Sequence, residues 1–92
     1  MSQMKTERVV FSGRVQGVGF RYTVRSLAKR HPVKGYVKNM PDGTVELVMQ
    51  GALSDIDGLL TDVTHHFRDN ITDCDRRTID SDEEFSHFEV RF

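Results

Sequence analysis

Apolar and polar positions follow a period of two in some stretches of the chain and a helical period in others. Across residues 8–13, Val9, Phe11 and Gly13 point one way and Arg8, Val10 and Ser12 the other, which predicts a first strand. From 21 to 31 the apolar residues Val24, Leu27 and Ala28 recur with Phe20 at helical spacing, with Arg25, Lys29 and Arg30 on the wet side. Pro32 disfavours helical geometry at His31, so this helix stops there. Residues 33–40 are rich in strand formers, and over 45–50 Val45, Leu47 and Met49 alternate with Glu46, Val48 and Gln50. Met40-Pro41-Asp42-Gly43 between them is turn chemistry, so the two strands form a hairpin.

Gly51 reads as the strand breaker, and Ser54 with Asp57 three residues on reads as a helix cap. Ile56, Leu59, Leu60, Val63 and Phe67 then mark one face of a second helix to about Arg68. The pattern weakens over 70–81, where one irregular strand around 76–79 is expected, and residues 80–84 form an acidic, solvated loop. Phe88, Val90 and Phe92 alternate with Glu89 and Arg91 in a short closing strand. The order βαββαβ, with room for an extra edge strand, predicts an α+β ferredoxin-like sandwich: an antiparallel sheet with two helices on one face. Ninety-two residues allow one core, hence a single domain over 1–92. Phe11, Phe20, Phe67, Phe88 and Phe92 are its expected aromatic core.

Composition narrows the setting more than the chemistry. No apolar run approaches the roughly 18 to 20 residues that span a bilayer, and residues 1–7 lack the apolar centre of a signal peptide. One cysteine, Cys74, cannot form an internal disulfide. A soluble, cytoplasmic monomer with no membrane partner is the resulting expectation. The net charge of −1 conceals a polarity along the chain: residues 1–46 carry nine Lys or Arg against three acids, and residues 47–92 four against eleven. A basic half of this kind attracts small anions or nucleic acid, and its sign does not choose between them.

Chemistry concentrates in Gly13-Arg14-Val15-Gln16-Gly17-Val18-Gly19-Phe20-Arg21, placed between a strand and a helix. Glycines let the backbone turn its N–H groups toward one point, and a helix start adds partial positive charge, so this loop can cradle an anion or be simply a turn. It is neither a Walker motif nor a dinucleotide fingerprint, because the lysine-serine ending and the glycine spacing are both missing. Arg21 would stand at the first helical turn, where the helix dipole opposes a cation; an anionic ligand would offset that. In the hairpin, strand parity puts Val37 and Asn39 on one face and Tyr36, Lys38 and Met40 on the other. Asn39 can orient a small polar species or cap the turn beside it. His65 and His66, about 100° apart on a helix, do not chelate one ion, so no metal and no cofactor are expected.

The stretches 13–21 and 35–46, the latter reading Gly-Tyr-Val-Lys-Asn-Met-Pro-Asp-Gly-Thr-Val-Glu, together resemble the two signature motifs of the acylphosphatase family. Chain length, element order and the Phe-x-Val-x-Phe ending are similar as well. The resemblance implies an enzyme that hydrolyses carboxyl-phosphate mixed anhydrides, acyl phosphates, to carboxylate and inorganic phosphate without a metal. It assigns phosphate binding to Val15, Gln16, Gly17, Val18, Gly19, Phe20 and Arg21, and a water-orienting role to Asn39. The residue chemistry is compatible: a carboxylate leaving group, whose acid has a pKa of about 4, departs without a general acid. A competing expectation is an RNA-binding module of the same fold. It is weakened because Tyr36 is the only aromatic in the central hairpin and no Lys-Gly-Phe-Gly-Phe pattern is present. No nucleic-acid partner is therefore expected.

Overall fold

The computed structural model describes residues 4–92; residues 1–3, the start of the polar leading segment, lie outside the described residues. Its elements are β1 (Met4–Gly13), α1 (Phe20–Ala28), β2 (Lys34–Asn39), β3 (Val45–Ala52), α2 (Leu53–His66), β4 (Ile71–Thr78) and β5 (Phe88–Arg91). They form one five-stranded sheet in the order β4-β1-β3-β2-β5. The observed order is βαββαββ: β4 covers the region where an irregular extra strand was expected, β5 is the expected closing strand, and both lie at edges of the sheet.

The strand periodicities are read out as burial. Val9 and Phe11 of β1, Val37 of β2, and Val45, Leu47 and Met49 of β3 are fully buried on the face that carries the helices. Val24 of α1 and Ile56, Leu59 and Val63 of α2 meet them there. Each such side chain contributes roughly 1.5 to 3 kcal/mol by leaving water. Phe20 lies 5.3 Å from Phe11 and 4.3 Å from Phe67, ring centroid to centroid, so the first residue of α1 is locked between the sheet and the end of α2.

Several expectations are corrected. The sheet is mixed: β2 and β5 run parallel, because the chain leaves β4 at one edge and crosses to the other before β5 begins. That crossing, residues 79–87, is a strap and more than a solvated loop. Its acidic side chains are exposed, but Gln50 Nε2 donates to Glu83 O and Gln50 Oε1 accepts from Phe85 N, both at 3.1 Å, pinning it to the face without helices. The weakly patterned region holds a full eight-residue strand, β4, whose residues are nearly all exposed. An edge strand with little buried surface has no reason to alternate, which hid it from the periodicity.

Gly51 does not break its strand. It pairs with Lys5 inside β3, where a Cβ would stand 3.1 Å from Pro32 O, so glycine permits a close approach. Ser54 does not cap α2; Ala52 holds that position with no side-chain hydrogen bond, and the acid in the first turn is Asp55. The first helix ends at Ala28, with tighter bonds through His31 (His31 N to Ala28 O, 3.2 Å) completing the segment. Phe92 is not core: it is 83% exposed, while Phe88 is half-buried.

Candidate active site

Every motif singled out in the sequence arrives at one end of the sheet. Phe11 pairs with Val45 and Asn39 pairs with Val45, so the end of β1, the end of β2 and the start of β3 lie level. The parallel pairing of Lys38 with Arg91 brings the end of β5 to the same place. The glycine loop leaves β1 there and runs into α1.

Gly17 and Gly19 take φ values of 76° and 75°, a left-handed conformation that side chains with a Cβ rarely adopt. Neither has a neighbour within 4 Å of an added Cβ, so conformation and not space demands glycine here. Gly19 is the N-cap of α1, and the first turn holds no acid. The turned loop and the helix start enclose a cavity of about 220 Å³, room for several water molecules at about 30 Å³ each. Its walls come from Val15, Gly17, Gly19, Phe20, Arg21, Tyr22 and Asn39.

The structure thus brings together Val15, Gly17, Gly19, Phe20, Arg21 and Asn39 of the expected set. It leaves Gln16 and Val18 off the walls. Gln16 Nε2 instead donates to Met40 O and Thr44 O, both at 2.9 Å, fastening the loop across the hairpin turn beside Asn39. Val18 is exposed at the loop tip.

Arg21 is held from outside the loop. Its Nη1 donates to Arg91 O at 3.3 Å, and its guanidinium lies 4.6 Å from the centroid of the Phe92 ring. Asn39 Oδ1 is sealed from solvent and accepts no hydrogen bond. The turn does not need it as a cap: Thr44 N donates to Asp42 Oδ1 at 3.0 Å, Gly43 N to Met40 O at 3.1 Å, and Gln16 ties the rest. The capping alternative for Asn39 is therefore set aside by Asp42. Thr44 holds the Asp42 carboxyl below its usual range through side-chain and backbone hydrogen bonds.

Sequence reasoning missed three residues and the role of a fourth. Tyr22 lines the cavity, Arg91 and Phe92 brace Arg21, and Gln16 acts as a tie. The spacing did hold a signal for Tyr22, an aromatic next to Arg21 on the first helical turn; the other three depend on pairings no local pattern encodes. The remaining titratable candidates are structural or solvated. His31 Nε2 meets Asp62 Oδ2 at 2.7 Å, joining the two helices, and His65 and His66 are exposed. Among the described residues no three His, Cys, Asp or Glu side chains gather as a metal centre, and no helix is long and apolar enough to cross a membrane. Tyr36, the aromatic an RNA reader would use, lies half-buried on the other face of the sheet, with the Arg91 guanidinium 4.1 Å from its ring centroid and Phe85 at 5.9 Å.

Comparison with known proteins identifies the family. An acylphosphatase from Acaryochloris marina is 36% identical over 87 residues, covering 90% of this chain and 89% of that one. An acylphosphatase from Bordetella parapertussis is 44% identical over 59 residues, 64% of this chain, and that match spans just 63% of the relative's length. The crystal structure of acylphosphatase from Bacillus subtilis superposes with a TM-score of 0.84 at 29% identity, covering 98% of this chain and 100% of that one. The acylphosphatase family profile matches residues 7–90, nearly all of the described fold, and the chain belongs to the acylphosphatase family.

Proposed function

We propose that the chain hydrolyses acyl phosphates to carboxylate and inorganic phosphate without a metal ion. The 15–20 loop and Arg21 hold the phosphoryl group, and Asn39 orients the attacking water. The observation that carries this reading is the Asn39 amide. A buried acceptor without a partner costs about 1 to 3 kcal/mol, and the residue that carries this one is a wall of the cavity that it shares with Arg21 and the glycine loop.

Arg21 presents a planar fork that binds two phosphoryl oxygens, each charge-assisted bond contributing roughly 1.5 to 3 kcal/mol. Lysine lacks that fork. Asn39 is too weak a base to take a proton. Its Oδ1 accepts a hydrogen bond from the water, its amide N–H donates to a phosphoryl oxygen, and together they set the line of attack. The water oxygen bonds to phosphorus, the bond from phosphorus to the acyl oxygen breaks, and the carboxylate departs with the electron pair. The water proton passes to a phosphoryl oxygen. No general acid is needed, because the leaving carboxylate is the conjugate base of an acid of pKa about 4, and no wall residue is His, Asp or Glu. The work is positioning and charge stabilisation, which suits a loose phosphoryl transition state.

The same reading takes the chain as a single monomeric domain acting in the cytoplasm, supported by its one core and by an exposed, unpaired Cys74. The test is hydrolysis of acetyl phosphate by purified protein in excess chelator. Activity that survives chelation supports the reading; folded protein with no activity overturns it.

A further inference from the structure

The two helices differ in charge more than covering the same sheet requires. From residue 8 to residue 41 the chain holds eight Lys or Arg and no Asp or Glu, and α1 lies wholly inside that stretch. Over Leu53–His66, α2 holds Asp55, Asp57 and Asp62 and no Lys or Arg. On α1, Arg21, Arg25 and Lys29 follow one another at spacings of four, the last at the C-cap, so they share one strip that drifts by about 40° per step. Like charges at this spacing destabilise a helix, and an acid at either outer position would have made a favourable pair. Solubility does not call for the arrangement, since interspersed charges of both signs serve it.

These cations are also unengaged by acids. Among the described residues, carboxylates pair with Arg8, Arg76, Arg77, Arg91 and two histidines, and none pairs with Arg21, Arg25, Lys29 or Arg30. Arg25, Lys29 and Arg30 stand exposed. Their placement leads to the cavity. Tyr22 is a wall of the cavity and also of the grooves on either side of α1: one toward β5, which Arg25 lines, and one toward α2, which Arg30 lines with His66. Among the described residues the one acid on these walls is Glu89, and its carboxylate is engaged by Arg91 Nε at 2.8 Å and His87 Nε2 at 3.0 Å.

At about 1.5 Å of rise per residue, Arg25 stands about 6 Å and Lys29 about 12 Å along the axis from Arg21. The Debye length is about 17 Å at 0.03 M salt, which leaves both within reach of an anion at the cavity, and about 5 Å at 0.3 M, which screens them. We infer that Arg25, Lys29 and Arg30 form an electrostatic guide that gathers the anionic acyl phosphate along α1 and delivers it to Arg21. The inference rests on the hydrolysis proposed above. The three are positioning residues: they raise the local concentration of substrate at the mouth and do not touch the reacting atoms, so they act on kcat/KM and leave kcat alone.

The experiment follows kcat and kcat/KM for acetyl phosphate from 0.03 to 0.3 M KCl. In the starting protein kcat/KM should fall about three- to tenfold across that range while kcat stays level. Lys29→Glu/Arg30→Glu should lower kcat/KM about three- to tenfold at the lowest salt, keep kcat within about twofold, and flatten the salt dependence. Arg25→Gln should lower kcat/KM about two- to threefold; a Glu there would sit one turn from Arg21 and pair with it. Lys5→Glu/Lys34→Glu makes the same total change of charge at the opposite end of the sheet, where these two exposed residues face Gly51 and Gln50 of β3. It should leave kcat/KM within about twofold. Hydrolysis with a kcat/KM indifferent to salt, a salt dependence undiminished in Lys29→Glu/Arg30→Glu, or an equal loss in the Lys5→Glu/Lys34→Glu control overturns the guide while leaving the hydrolysis reading intact. Absence of hydrolysis by the starting protein at every salt concentration overturns both.

Discussion

Two buried polar groups sit one register step apart on the central hairpin and have opposite surroundings. Lys38 pairs with Glu46 and Asn39 with Val45, and the two polar side chains face opposite sides of the sheet. On the face without helices, Glu46 Oε2 accepts from Arg8 Nε at 2.6 Å and Oε1 from Tyr36 Oη at 2.7 Å. On the other face, Asn39 Oδ1 accepts nothing. Leaving a buried acceptor unmet costs about 1 to 3 kcal/mol, and a protein that satisfies one such group fully has the means to satisfy its neighbour. Glu46 is therefore built for stability. Asn39 keeps its acceptor unmet, as the proposed water-orienting role requires.

The widest gap between the two regions is expected at the arginine of the site. Arg21→Ala should lower kcat/KM for an acyl phosphate by roughly 10² to 10⁴, two charge-assisted hydrogen bonds at roughly 1.5 to 3 kcal/mol each, while the urea midpoint moves little. Asn39→Ala should lower kcat on the order of 10²-fold with KM changed only a few-fold. Its urea midpoint should stay or rise, because the variant deletes an unmet acceptor. A fall in midpoint with turnover intact would erase the distinction and make Asn39 another structural polar group.

How much of this was legible before the structure depends on whether the information is local. The hairpin, both helices and the inward set Val9, Phe11, Val37, Leu47 and Met49 follow from periodicity, because each element buries one face against the same core. The pairing of loop with Asn39 was legible as two motifs. The loss came where burial does not alternate or where partners are remote. β4 is exposed along its length, the strap over the sheet is fixed by Gln50, and Arg21 is braced by Arg91 O, 70 positions away. Phe92 looked like core because it continues the alternation of Phe88 and Val90, yet the last position falls beyond the strand, over Arg21.

Disturbing the far face should give the reverse phenotype, with a smaller effect. Glu46→Gln keeps the shape but removes the charge that Arg8 and Tyr36 address, and should destabilise by about 1 to 3 kcal/mol by urea denaturation. The kcat of the folded fraction should remain within about twofold. A large loss of turnover at full folding would show that the two faces are coupled through β2.

The finest contrast is in pH dependence. Burial alone would raise the Glu46 carboxyl, but hydrogen bonds from Arg8 and Tyr36 outweigh it and hold it below the ordinary 4.5; Glu7, buried on the helix face, is lowered likewise by Thr78 and Arg76 against its burial. A folded value below the unfolded one means stabilisation that is complete above the ordinary pH and lost as pH falls through the folded values. Tyr36 behaves in the opposite sense: burial, then its bond to Glu46, raises the phenol from 10.0 to about 12, so its contribution is full below pH 10 and lost as pH climbs toward 12. The urea midpoint should therefore hold a plateau between these limits and fall on both sides. Glu46→Gln should flatten part of the acid fall, leaving the share that belongs to Glu7. It should also bring the Tyr36 titration, followed by phenolate absorbance, down from about 12, since a neutral amide no longer opposes the phenolate. Asn39→Ala should move neither limb, because the cavity walls hold no His, Asp or Glu. If it did move one, Asn39 would belong to the same electrostatic network as Glu46, and the separation between the two faces would fail at its most sensitive point.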